Sequence, residues 1–520
     1  VNALTETPLS AVEHRLRYLL PAEMYVSMWG NPSAEIMVVV YNHLRTLHHI
    51  LQDYTSQQIS INKPKPGDVK TQWQHGAMMF TDLAGFTKLM EANSAKGSAG
   101  AADLLNQLTK YFSAMIAIIS KSGGDLIEFT GDALLVVFPK NDKNDDTLRA
   151  VRAGLRMQRA MKEFAEIETS AGVVNLKMRI GIHSGRFLTA DIGTPRRMEH
   201  VLLGSEVHQA KLTEGNGINE RVNLSQQAYE QIAAQFNVEA GNSGCYLVKD
   251  DWTHEKLGEY EIAPIKRRMA SNVLMTREKN EVLQQITGLL DSIEPMASYL
   301  PTPVVSLLVE SAADRNIPAD FPHPTIMFVN FIGLPEAADR ALPGEEIKLA
   351  LAFSRIFSLI NAAVESRGGM LKKVTYHLSG SDIVIYFGVP TAHTNDELRA
   401  ASAAFAIRDV ILNFDVPSIG GSQPEISCKI GIHTGPTFVA EIGDPHGRRE
   451  YNVLGDAVNT TARLMNQAQK NKIVVSEDIK KAVDAQYQCA SLGKIMLKGK
   501  NAPMLLYEVE RKKDAHKISG

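Results

Sequence analysis

KMRIGIHSGRFLTADIG (residues 177–193) returns further along the chain as SCKIGIHTGPTFVAEIG (residues 427–443), with the Ile-Gly-Ile-His core and the closing Ile-Gly in register. Working outward, the flanks repeat in the same order. MMFTDLAGFT (78–87) precedes the first copy as IMFVNFIGLP (326–335) precedes the second, and HVLLGSEV (200–207) follows as YNVLGDAV (451–458) does. Solenoid units recur every ~20–50 residues, so a repeat this widely spaced means a tandem duplication of whole domains.

In the first half, residues 76–81 read as an apolar strand. Residues 101–121 read as a helix, with Leu104, Leu105, Leu108, Tyr111, Phe112, Met115 and Ile119 at helical spacing. Gly123 and Gly124 stop it. Residues 125–129 and 133–138 predict a hairpin with Gly131-Asp132 at its tight turn, followed by a helix over 146–168 and a strand over 176–183. This is the βαββαβ order, so the expected class is α+β: two ferredoxin-like domains forming an intrachain pseudo-twofold heterodimer. The expected boundaries are a helical N-terminal segment (1–74), a first domain (75–265), a proline-punctuated helical linker (266–323), a second domain (324–512) and a solvated tail (513–520). HRLRYLL and NHLRTLHHIL in the N-terminal segment suit an amphipathic packing element, or one for further oligomerisation.

With 520 residues, 44% of them apolar, the chain can bury a large core. Lys and Arg total 55 against 58 Asp and Glu, a net charge of −3 that argues against a general nucleic-acid partner. Apolar runs such as 35–41 and 134–138 fall short of the ~20 residues that cross a bilayer, and the sequence, which starts at Val1 and not at Met, leads to no expectation of a secretory leader. Cys245, Cys428 and Cys489 are too few for a disulfide framework or a cysteine zinc site, so a cytoplasmic location is expected.

Either Asp82 or Asp132 alone reads as a cap or turn residue. Together they lie at a strand end and at the turn of the strand beside it, where two carboxylates converge and suit a hard cation such as Mg²⁺ or Mn²⁺. Residues 83–87 open onto a turn or helix whose backbone N–H groups suit phosphate. The second half has Asn330 and Ser381 at the two acid positions. It carries instead VLGDAVNTTARLM (453–465), where Asn459 and Arg463 are one helical turn apart. An amide and a guanidinium suit a ribosyl phosphate; His208 and Leu212 stand at those positions in the first half. Complementary losses of this kind point to one composite site across a pseudo-twofold interface.

FTDLAGFT (80–87), EFTGDALLVVF (128–138), the two IGIH(S/T)G strands and VLGDAVNTTAR (453–463) resemble class III adenylyl and guanylyl cyclase catalytic domains. The tandem arrangement, IMFVNF (326–331) and LKKV (371–374) are most similar to the soluble, bicarbonate-responsive adenylyl cyclases and their bacterial relatives. The resemblance implies conversion of ATP to 3′,5′-cyclic AMP and pyrophosphate with two Mg²⁺ or Mn²⁺ ions at Asp82, Leu83 and Asp132. It implies that Lys373 meets the adenine, Asn459 the ribose, Arg463 the α-phosphate and Lys498 the terminal phosphates, with Phe86 and Thr87 along the phosphate chain. The second base contact, Asp or Thr in the family, falls on Asn452. Lys373 would donate to adenine N1 and the Asn452 oxygen would accept from the 6-amino group, whereas guanine prefers an acidic acceptor. The alternatives are a guanylate cyclase and a catalytically silent nucleotide-sensing module. A ferredoxin-like RNA binder would need paired aromatics that MRIGIH and CKIGIH lack. The bicarbonate-responsive relatives bind their activator with two basic residues; Glu128 and Lys211 stand there, which predicts a pair between them and argues against bicarbonate. His208 and His377, near the cleft, read as packing residues.

Overall fold

The protein is described here from a computed structural model covering residues 9–169, 172–260, 278–313, 317–500 and 502–513. Residues 261–277, the end of the expected first domain and the start of the expected linker, and the tail from 514 lie outside the described residues.

Strand Lys70–Ala84 lies inside an eight-stranded sheet, antiparallel to Ala133–Pro139 on one side and to Lys177–Thr194 on the other. Asp125–Thr130 forms the edge beyond Ala133–Pro139, and Val222–Leu224 joins the far side in parallel. Strand alternation sorts the side chains. Ala77 and Met79 pack under helices Ser98–Lys121 and Asp146–Ala160, while Met78 and Phe80 lie on the opposite face with Val207 and Ala210, and Tyr376 of the second domain packs against Phe80. The helix expected to reach 168 stops at Ala160; Met161 and Phe164, three apart, turn into the core through a 3-10 turn.

The second domain repeats the order, with Met370–Tyr376, Ser381–Phe387, Thr325–Ile332 and Ser427–Thr434 side by side and Ile473–Ser476 parallel to the last. The halves differ in one respect. Lys177–Thr194 runs on without interruption and pairs with Arg197–Leu203, well past the expected end at 183. Its counterpart breaks after Thr434 and resumes as a separate hairpin, Phe438–Gly443 with Arg449–Leu454. Pro436 stands in the gap and has no N–H to give a ladder.

These hairpins are exchanged between the domains. Phe438, Ala440, Ile442 and Leu454 are buried in the first domain's core, and Leu188, Ala190, Ile192, Val201 and Leu203 in the second's. One arm is pinned by Ser354, on helix Glu346–Glu365, whose hydroxyl accepts from the Gly193 N–H at 2.8 Å and donates to the Gly193 carbonyl at 3.2 Å. Ser354→Ala leaves both backbone groups without that partner and should cost about 1–2 kcal/mol in urea unfolding. By length and composition Glu346–Glu365 is the one helix among the described residues apolar enough to cross a membrane. It is this domain's core helix, with Leu349, Phe353, Ile356, Phe357 and Ile360 fully buried.

Helix Ala34–Tyr54 packs on linker helix Lys279–Ala297 in a third cluster that also takes in Ile326, Phe328, Val384 and Tyr386 of the second sheet. Arg15 pairs with Glu294 and Asp291, each at 2.7 Å. Of the two roles expected for this segment, packing within the chain is the one its buried apolar face serves here. The segment touches both domains: Asp125 accepts from the Gln57 and Gln58 N–H groups at 2.9 and 3.1 Å, and Asp53 pairs with Arg449 at 3.5 Å.

Candidate functional site

Asp82 ends the buried part of its strand, directly opposite Arg179, which donates to it at 2.9 Å. Arg179 also donates to Glu214 at 2.6 Å, and Glu214 holds Lys211 at 2.6 Å. Lys211 is therefore not the partner of Glu128, as expected from the sequence, because a buried carboxylate one helical turn away takes it first. Burial, and then the charge of Glu214, raises the Asp82 carboxyl; burial, and then the charge of Asp82, pushes Asp132 up to about 7. The charge of Asp82 acts on Asp132, so the two acids lie in one region of the first domain. Among the described residues no group of three or more His, Cys, Asp or Glu could hold a metal. A carboxylate pair that leaves room for substrate oxygens is nonetheless the donor set that Mg²⁺ favours.

Leu83 stays in the ladder opposite Met178 with its side chain buried. Gly85 follows at φ 98°, where a Cβ would stand 2.5 Å from the Asn175 carbonyl oxygen, and helix Phe86–Ser94 begins. The Phe86 side chain is buried and Thr87 half-buried, so Phe86 has only its backbone N–H to offer a phosphate.

In the second domain Asn330 donates to the Ser379 carbonyl at 2.8 Å and to Asp382 at 3.0 Å. Asp382, one position past Ser381, is a buried acid that sequence reasoning missed; burial pushes it up to about 6. This amide–acid pair fills the place of the first domain's two carboxylates. His208 is lowered by burial beside Gly380, and His377 accepts from the Ser379 N–H at 3.2 Å, both local packing roles.

Helix Asp456–Gln467 presents Asn459 to solvent and Arg463 half-buried, with the Arg463 Nη1 enclosed and without a hydrogen-bond partner. The 497–500 turn lies on that guanidinium: a Cβ at Gly499 would stand 3.3 Å from the Arg463 Nη2. Lys498 beside it is exposed, while Lys500 pairs with Asp456. The helix begins at Gly455, where a Cβ would stand 3.0 Å from the Met90 Sδ on the helix that follows Asp82. The segments bearing Asp82 and Arg463 therefore meet across the domain boundary.

Lys372 and Lys373 are both buried, and a bulge separates them. Lys372 stays within its domain, donating to the Tyr451 carbonyl at 2.5 Å and pairing with Glu450 at 2.8 Å. Lys373 crosses to the first domain, donating to the Phe129 carbonyl and pairing with Glu128 at 3.3 Å, and it also reaches Glu450 at 3.3 Å. Burial alone would raise Glu450, but the charges of Lys372, Lys373 and Arg448 outweigh it and hold the carboxyl near 2. Asn452 differs from expectation: its oxygen accepts from the Val453 N–H at 2.9 Å, and its buried Nδ2 has no partner. The free polar group there is a donor. Sequence reasoning missed both Arg179 and Glu214; alternation in MRIGIH, which puts Arg179 on the face opposite Met178 and Ile180, was the signal that could have found the first, and Glu214 had no local signal.

The family model described as adenylate and guanylate cyclase catalytic domain matches residues 69–262 and again 320–511. Adenylate cyclase type 10 of Rattus norvegicus is 24% identical over 405 residues, covering 75% of this chain and 24% of that protein, so the chain spans about a quarter of that relative's length. An adenylate cyclase of Mycobacterium tuberculosis is 26% identical over 218 residues, 42% of this chain and 46% of its own. The crystal structure of a class III adenylyl cyclase-like ATP-binding protein from Pseudomonas aeruginosa has a similar fold across 84% of this chain and 92% of that one, at a TM-score of 0.53 and 15% identity. With two matches that together span more than half of its residues, the chain belongs to the adenylate and guanylate cyclase catalytic domain family and carries that domain twice.

Proposed function

We propose that the chain is an adenylate cyclase, converting ATP to 3′,5′-cyclic AMP and pyrophosphate at one site built from both domains. The observation that carries this reading is the division of polar groups. The paired acids Asp82 and Asp132 belong to the first domain, Asn459, Arg463 and Lys498 to the second, and the helix that follows Asp82 meets the helix bearing Asn459 and Arg463 at Met90 and Gly455. The names of the relatives support the same activity.

Asp82, Asp132 and the Leu83 carbonyl would hold two Mg²⁺ or Mn²⁺ ions, which supply a more acidic 3′-hydroxyl and neutralise the triphosphate. Asn459 would orient the ribose so that the 3′-oxygen lies in line with the α-phosphorus. As the new P–O bond forms and the bond to pyrophosphate breaks, the free Nη1 of Arg463 would bind the phosphoryl oxygen that gains charge. Lys498 and the backbone N–H groups at Phe86 and Thr87 would hold the departing phosphates. Lys373 and Asn452 would meet the base, with Lys373 donating to adenine N1; because the Asn452 oxygen is taken by the Val453 N–H, Asn452 has no acceptor for the 6-amino group, and the choice of adenine rests on Lys373 alone. A cytoplasmic location fits three cysteines that are all free.

The test is cyclic nucleotide formation by the purified chain with ATP or GTP and Mn²⁺ or Mg²⁺, beside Asp82→Ala. Metal-dependent cyclic AMP that falls at least 10²-fold in the variant is expected. Nucleotide binding with no cyclic product would instead make the chain a nucleotide-sensing module, and a preference for GTP would overturn the base assignment.

A further inference from the structure

An ammonium group has three N–H donors, and those of Lys373 are all engaged: by the Phe129 carbonyl, by Glu128 and by Glu450. A purine nitrogen can reach Lys373 only by displacing one of them. The three are not held equally. Phe129 offers a backbone carbonyl fixed in a strand paired with Ala133–Pro139. Glu450 is anchored by Lys372 at 2.8 Å and Arg448 at 3.6 Å as well as by Lys373. Apart from Lys373, the partner Glu128 has among the described residues is the Thr130 hydroxyl, which donates to it at 3.1 Å. Its side chain is 14% exposed on the edge strand of its sheet. It also borders a cavity of about 90 Å³, lined as well by Glu199, Lys372 and Arg448.

We infer that Glu128 sets the nucleotide affinity of the base site by competing with the purine for Lys373. This rests on the reading of Lys373 as the base contact. The pair joins the domains, Glu128 coming from the first and Lys373 from the second, so every nucleotide that binds must first break a contact between them. The apparent dissociation constant is the intrinsic one divided by the fraction of molecules in which Glu128 has let go. Glu128 is a positioning residue in this scheme: it touches neither phosphate nor ribose and acts through Lys373.

The experiment measures ATP binding by calorimetry, together with KM and kcat, in the full chain bearing Glu128→Gln, which keeps the shape and removes the charge. Losing one charge-assisted bond should tighten ATP binding about tenfold and lower KM in parallel, with kcat within about twofold. In a Lys373→Met background the same change should do nothing. ATP affinity equal to or weaker than that of the parent, in a variant with an unchanged melting temperature, overturns the proposal. Should Glu128→Gln fail to fold, Glu128→Asp withdraws the carboxylate by one methylene, keeps the cluster's charge, and must shift affinity in the same direction. Lys373→Met with parental ATP affinity would refute the base assignment itself. A weakened Lys373→Met beside an unaltered Glu128→Gln would refute only the competition.

Discussion

Arg463→Ala is expected to lower kcat for cyclic AMP formation by about 10²–10³-fold while changing ATP affinity only a few-fold. Several guanidinium groups among the described residues are committed to carboxylates: Arg15 to Glu294, Arg149 to Asp145, Arg179 to Asp82 and Glu214. The Arg463 Nη1 is enclosed without a partner, under the Lys498 turn and above the contact with the first domain. A buried donor left open costs stability unless a ligand completes it, and the charge that completes it best is the one that grows on the phosphoryl oxygens during transfer. Arg463→Lys should recover only part of the rate, since an ammonium cannot reproduce the planar fork. Steady-state kinetics with a parallel binding isotherm checks this; a kcat near the parent's would remove Arg463 from the transition state.

The largest effect on stability is expected at Glu450. One carboxylate there answers Lys372, Lys373 and Arg448, all buried at the junction of the two domains. Glu450→Gln should cost about 3–5 kcal/mol in urea unfolding, because it leaves buried ammonium groups short of their counter-charge. Acid gives the sign. The Glu450 carboxyl lies near 2 in the folded chain against an ordinary value of 4.5, so the unfolded chain takes up its proton first. Its contribution is full above about pH 4.5 and is lost as pH falls toward 2. The stability difference between parent and Glu450→Gln should therefore shrink across that window; a difference that stays constant would mean Glu450 is not ionised by its neighbours.

The duplication was legible because both copies solve the same packing problem. A Cβ at Gly181 would stand 2.3 Å from the Glu214 nitrogen, and one at Gly431 2.4 Å from the Met465 nitrogen, so each sheet admits its cleft-side helix only over a glycine. That close approach preserves the motif in both halves and betrays the repeat. The exchange of hairpins was not legible, since Leu188, Ala190 and Ile192 alternate in the same way whichever core receives them. The partners of Lys373 escaped for a related reason: Glu128 and Phe129 lie far away in sequence and meet it only across the domain boundary. Asp382 hid beside Ser381, where alignment by position looks at the neighbour and misses the acid.

The exchanged hairpins also bear on how such a chain diverges. Each half completes the other's core, so neither half can leave its partner for a second copy of itself, and covalent linkage fixes their mutual concentration. Two equal halves paired in this way would make two equal clefts, and only one is needed for turnover. The spare cleft is then open to drift without loss of the reaction. On the proposed reading, Asn330 and Asp382, an amide and an acid closed on each other where the first half has its two carboxylates, mark the cleft that turnover does not use.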